Sequence, residues 1–253
     1  MEINRFKNSF AENIFRFKYA QGPNDSWDAL VDRLVDDVCG TRGGTLQPLM
    51  SEGNRKQLAE YMKRMCFLAG GRYLYYAGRP YKAYNNCYLL RAEEDTREEW
   101  SNLTWRAMSC LMTGGGIGAD YSRLRPSGRP LARTGGKASG PLPLMYAINE
   151  IGRNVMQGGS RRSAIYASLD SNHEDIPLFL RAKNWEDQQC GTSGLGLKQM
   201  KEQDFNFPAS LDMTNISVNY DDSAGLLTEN PVFLENCLQT MKTGEPGFSF
   251  NFG

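Results

Sequence analysis

Apolar residues fall at helical spacing in the first forty positions, where Ala29, Leu30, Leu34 and Val38 form one stripe behind a capping pair at Asp25-Ser26. A glycine break over 40–44 follows, and a second helix is expected from Gln57 to Cys66. Tyr81 to Leu90 alternates and is rich in aromatic residues, which predicts a strand. Thr96 and Glu99 have the spacing of a capping box, and Leu103, Ala107, Cys110 and Leu111 continue from it as one face of a helix. Gly114 to Gly118 reads as a turn, and the stretch rich in Pro and Gly after Tyr121 reads as a loop. A helix then starts at Ser139-Gly-Pro-Leu-Pro, carries Leu144, Ile148, Ile151 and Val155 on one side, and ends at 158–162. Ala164–Leu169 and Met213–Tyr220 look like strands, and SNHEDIPLFLRAKN looks like a capped helix start. Residues 186–206 carry little pattern. The chain closes with a helix through Phe233, Leu234 and Leu238, then an apolar FSFNF run with nothing after it to pair with. Helix, loop and strand in alternation predict an α/β sheet with crossovers.

Charge and composition narrow the function classes. Lys+Arg 29 against Asp+Glu 29 leaves no basic excess, which speaks against a nucleic-acid binder. No apolar run reaches the roughly 20 residues of a membrane span, and the first residues lack a signal pattern, so a cytoplasmic location is expected. The six cysteines form no CxxC and there is one histidine, so a zinc site is not expected.

Local chemistry admits two readings at each candidate. Cys87, flanked by Asn85 and Asn86, is either a small buried hydrophobe or a working thiol. Asp95 either favours the positive end of the helix that follows it or takes the hydroxyls of a ribose. Arg72 either meets a phosphate or caps a helix. Between Tyr121 and Asn149 stand Arg123, Arg125, Arg129, Arg133 and Lys137 with no acid, which is either a solvated loop or a grip on polyphosphate. Neither GGGIG nor GGKAS fits a dinucleotide or P-loop fingerprint. His173, in its capped helix start, reads as structural.

Taken in order, GGRYLYYAG, NNCYLL, the helix after Asp95, GGGIG, RLRPSGRP…TGG…SGPLPLM, QGGSRRSA, HEDIPLFLRAKN, MTNISV and GEPGFSFNF resemble the catalytic chain of adenosylcobalamin-dependent (class II) ribonucleotide reductases over about 70–253. The NNC form resembles the monomeric triphosphate-reducing branch and phage relatives. The resemblance implies an N-terminal helical region (1–69) and the first half (70–253) of a ten-stranded α/β barrel whose C-terminal half is absent here. It implies that Cys87 is a redox-active thiol reducing the 2′-carbon, with Asn86 and Tyr73 near substrate, although Tyr73 departs from a frequent Thr. Asp95, Thr96, Arg125, Arg129 and Lys137 would bind a deoxynucleotide effector, and Asp204, Phe207 and Asp212 would belong to a specificity loop. Adenosylcobalamin would be the cofactor, bound mainly by the full enzyme, with no protein-bound metal in this chain. The implied partners are a C-terminal half, a ribonucleotide, a dNTP effector and an external dithiol. The compartment would be the cytoplasm, or the host's if phage-encoded. Two further readings are a non-catalytic dNTP-binding module and a fragment of a diiron-dependent (class I) reductase.

Overall fold

The structure is a computed structural model and describes residues 5–40, 49–155, 163–190 and 194–253. The glycine break over 41–44 and the QGGSRR stretch that was to end a helix lie outside the described residues. Two compact units divide the chain, Met1–Asn85 and Asn86–Gly253.

The first unit is helical. Helix α1 (Ser9–Ile14) runs into a π-helical stretch at Phe15–Tyr19, and α2 (Trp27–Cys39), α3 (Glu52–Lys63) and α4 (Gly71–Tyr76) follow. Ser26 caps α2 by accepting from Ala29 N. Trp27, Leu30, Val31, Leu34 and Val35 pack with Phe15, Met62 and Leu74, and the Trp27 indole N–H donates to Met62 O at 3.0 Å. Helix α3 starts earlier than its apolar pattern predicts, because Ser51 caps a polar first turn. It also ends at Lys63 rather than Cys66, just ahead of a left-handed Met65 at φ 60°. Residues 70–85, expected in the half-barrel, belong to the first unit: YLYY lies in α4, Leu74 and Ala77 join this core, and Arg72 Nε donates to Ala83 O at 2.6 Å.

The second unit is built on five parallel strands in sequential order: β1 (Cys87–Arg91), β2 (Gly116–Asp120), β3 (Ile165–Asp170), β4 (Thr214–Tyr220) and β5 (Gly247–Phe250). The crossovers carry α5 (Arg97–Met112), α6 (Leu142–Asn154), α7 (Ile176–Leu180), α8 (Leu197–Gln203) and α9 (Pro231–Thr243). This is an α/β fold. Its core joins Leu103, Ala107 and Leu111 of α5, Met145 and Ile148 of α6 and Phe179 of α7 to strand residues of a single parity, such as Leu90, Ile117, Ala167 and Val218.

Four expectations change here. Only the start of GGGIG is a turn, with Gly114 at φ 78°; from Gly116 onward it is strand β2, its β character hidden by glycine's low strand propensity. Thr96 caps α5 through Glu99 N as predicted, but the Glu99 carboxylate does not reach back to its cap; it accepts from Glu93 N and pairs with Arg106. Strand β1 begins at Cys87 rather than Tyr81, since the preceding tyrosines are held in the first unit, where Tyr84 stacks on Tyr73 at 4.7 Å and donates to Asp37 at 2.8 Å. The closing apolar run does find a partner: Gly247–Phe250 pairs in parallel with Ser217–Tyr220.

Candidate functional site

A parallel sheet covered on both sides usually reads as continuous apolar strands. These strands alternate instead. Opposite the core face stand Cys87, Leu89 and Arg91 of β1, Gly116, Gly118 and Asp120 of β2, Tyr166, Ser168 and Asp170 of β3, Asn215, Ser217 and Asn219 of β4, and Gly247 and Ser249 of β5, which the strand register sets in rows. Leu89 is 86% exposed on this polar face.

Cys87 opens the first row at the N-terminal end of β1, exposed and reduced. Its register partner is Gly116, whose N–H donates to Asn86 O at 2.8 Å. A side chain at Gly116 would press on Ala164 at 3.2 Å. At the other end of the sheet a hydrogen-bonded row crosses three strands. Asp120 Oδ1 accepts from Ser122 Oγ (2.6 Å) and Ser168 Oγ (3.2 Å), and Asn219 Nδ2 donates to Asp120 (3.4 Å) and Asp170 (3.1 Å). Sequence reading missed these residues. The signal was present as the alternation of Ile, Ala and Leu with Tyr, Ser and Asp over 165–170.

The C-terminal ends of β1 and β2 bring together most of the expected effector residues. Arg125 pairs with the Asp95 carboxylate and donates to Asp95 O at 3.1 Å, and Thr96 sits between Asp95 and α5 as its cap. Arg123 reaches Glu93 at 3.1 Å, and Arg129 pairs with Glu174. The basic stretch is a short antiparallel excursion, with Pro130 bridged to Lys137 and Ala138 N donating to Arg129 O at 2.7 Å. Arg133 and Lys137 are exposed on it. The acids that balance these cations come from neighbouring turns rather than from the loop itself.

The segment 204–212 lies at the opposite, Cys87 end of the sheet, leading into β4. Asp204 and Phe207 form a turn, with Phe207 N donating to Asp204 O at 2.9 Å. Asp212, its side chain 1% exposed, is an anchor: Lys201 donates to it at 2.7 Å, Asn149 at 3.3 Å, and Arg153 grips both oxygens. Burial pushes this carboxyl up, but those donors outweigh it and hold it down at about 2. Tyr73 lies in α4 of the first unit.

The sheet and its crossovers first define a class: an α/β fold on five parallel strands, with one face of the sheet apolar and the other polar. The chain belongs to the ribonucleotide reductase family, since the family model described as "Ribonucleotide reductase, barrel domain" matches residues 85–216, more than half of it. A vitamin B12-dependent ribonucleoside-diphosphate reductase of Mycobacterium tuberculosis is 31% identical over 161 residues, 64% of this chain and 23% of that protein. A ribonucleoside-diphosphate reductase large subunit of Trypanosoma brucei brucei is 30% identical over 146 residues, 56% of this chain and 17% of that one. The class Id ribonucleotide reductase alpha subunit of Actinobacillus ureae superposes with a TM-score of 0.67 at 14% identity, covering 96% of this chain and 40% of that chain, a likeness of fold. The chain therefore spans about a quarter or less of the curated relatives' length. No helix among the described residues is long and apolar enough to cross a membrane.

Proposed function

We propose that this chain is the N-terminal part of a ribonucleotide reductase catalytic chain, active together with the remainder of the barrel. Cys87 is one member of the thiol pair that reduces the ribose. Two protons and two electrons leave the thiols of Cys87 and a cysteine of the complementing part as a disulfide forms between them. The C2′–O bond breaks, one proton leaves with the hydroxyl as water, and the other proton with the electron pair forms the new C2′–H bond. An external dithiol then restores both thiols. The observation that carries this reading is the placement of Cys87, exposed on the polar face with no side chain at its register partner Gly116. Asn86 and Tyr73 are the residues we assign near substrate, and Asp95, Thr96, Arg125, Arg129 and Lys137 those that hold a dNTP effector. The loop through Asp204, Phe207 and Asp212 is the specificity loop of this reading, with Asp212 as its fixed end. Cytoplasm is the proposed compartment.

Adenosylcobalamin is our choice of cofactor, supported by B12-dependent proteins among the relatives. When bound, it supplies the radical that starts the chemistry. Neither of two cavities lined by described residues is large enough to seat it. Cavities of about 310 and 490 Å³, lined by Tyr146 and Leu211 in one and Trp185 and Lys198 in the other, suit a ligand far smaller than a corrinoid with its adenosyl group. The part we propose for this chain is thiol chemistry and effector binding. Ribonucleoside triphosphates are the proposed substrates, although the relatives cited are named as diphosphate reductases.

The test joins the chain to the remaining part of the reductase and supplies dithiol with either adenosylcobalamin or a diiron partner protein. Ribonucleoside di- and triphosphates are offered in parallel. Deoxynucleotide formation that depends on cobalamin and is lost in Cys87→Ser is expected. Multiple turnovers by Cys87→Ser would refute the thiol assignment, and activity only with the diiron protein would refute the cofactor. Binding of dNTPs with no reduction in any arm would favour a purely regulatory module.

A further inference from the structure

We infer that the consecutive residues His173, Glu174 and Asp175 form a positioning clamp that sets the basic loop, and with it Arg125 and Arg129, for holding a polyphosphate. This rests on the effector reading given above. Strand β2 lies between β1 and β3, so the loop leaving its C-terminal end runs between the turns that follow those neighbours. Arg123 and Arg125 are held on the β1 side, at Glu93 and Asp95. Leu124, Ser127 and Arg129 are held on the β3 side by three adjacent residues. His173 Nδ1 accepts from Asp175 N at 3.1 Å, which leaves the ring proton on Nε2 to donate to Leu124 O at 2.8 Å. Asp175 Oδ2 accepts from Ser127 N at 2.8 Å, and Glu174 pairs with Arg129.

Asp175 is 5% exposed, and a carboxylate is buried at such a place only with partners to satisfy it. The far end of the loop packs against it. Gly140, at φ +76°, returns so close that an added Cβ would stand 2.3 Å from the same oxygen. Between these ends Gly128 N donates to Ala138 O at 2.9 Å, and Ala138 N to Arg129 O. Holding Ser127 therefore also holds the backbone that carries Arg129. The clamp cannot drift, because Ile176, Phe179 and Leu180 of α7 sit in the core directly behind it. None of the three residues need touch a ligand: they act through the loop.

The experiment uses the full chain, with amide hydrogen exchange and calorimetry against dATP, dTTP and inorganic triphosphate. In Asp175→Ala, exchange at Ser127, Gly128 and Ala138 should rise, and nucleotide binding should weaken about tenfold, the scale of one lost hydrogen bond to a charged group. Exchange at Val218 in β4 should not change. Asp175→Asn keeps an acceptor oxygen and should restore both readouts, and His173→Gln keeps a donor for Leu124 O and should do likewise. Unchanged loop exchange and affinity in Asp175→Ala would overturn the clamp, as would loosening spread equally over β3 and β4. If the unsubstituted chain binds none of the three probes, the effector reading fails and takes the clamp's purpose with it. The exchange data would still report whether the loop is held.

Discussion

Replacing Asp212 by Asn removes a charge at the base of the 204–212 segment while keeping its shape. The carboxyl is lowered from its ordinary 3.8 to about 2. At about 1.4 kcal/mol per unit, that depression is worth about 2 kcal/mol of folding stability. A carboxyl lowered in the folded state stabilises fully above its unfolded value, and the contribution fades as pH falls through the folded one. The wild type should therefore exceed Asp212→Asn by about 2 kcal/mol at pH 6, and the gap should close between about pH 4 and pH 2. Arg153 keeps Glu150 as a partner at 3.1 Å, so the loss should stay below the roughly 3–5 kcal/mol seen when a buried ion is left alone. Urea unfolding followed by tryptophan fluorescence measures both, and Trp185 reports locally because its indole N–H donates to Ser210 O at 3.0 Å. A gap that is absent at pH 6, or that persists unchanged at pH 2.5, would refute the reasoning.

Three other outcomes follow from single contacts. Asn236 is wholly buried and donates to Tyr220 Oη at 3.1 Å, so Asn236→Leu should cost about 1–3 kcal/mol by stranding that hydroxyl; in a Tyr220→Phe background the cost should shrink, and an equal cost would disprove the coupling. Gly140→Ala should lower the melting temperature through its left-handed backbone, worth about 1–2 kcal/mol, and its collision with Asp175; an unchanged midpoint in a thermal scan would show that the loop end gives way freely. Ellman's reagent at neutral pH should modify the exposed Cys66 and Cys87 ahead of Cys39 and Cys110, whose thiols are pushed up by burial; equal rates at all four would contradict that ordering.

Elements with strong local punctuation were legible from residues alone. Ser26 and Thr96 mark helix starts that the structure keeps, and the apolar periods of α2, α5 and α6 name the faces that pack. Elements made by tertiary context were not. Gly116–Gly118 is strand only because neighbours on both sides pair with it, and YLYY of α4, rich in residues that favour strands, is helical inside the first unit's core. The polar helix α8 has Leu197 as its only buried residue, too little for a periodic pattern. At the site, the cations of the basic loop were visible as composition. Their balancing acids come from two turns, Glu93 and Asp95 after β1 and Glu174 after β3, that only the sheet order brings together.

The two faces of the sheet answer to different constraints. Residues such as Ile117, Ala167 and Val218 are fixed by close packing, where the loss of a few methylenes costs kilocalories. Their immediate neighbours Ser168 and Asn219 are held by hydrogen bonds to Asp120 and Asp170. Substitution on the polar side is limited by hydrogen-bond partners and by the room at Gly116 and Gly247, and on the other side by packing, but an inserted or deleted residue disturbs both at once. One such slip would exchange the two faces along the whole strand. Divergence within this scaffold should therefore proceed by substitution inside the strands, with changes of length confined to the connections between them.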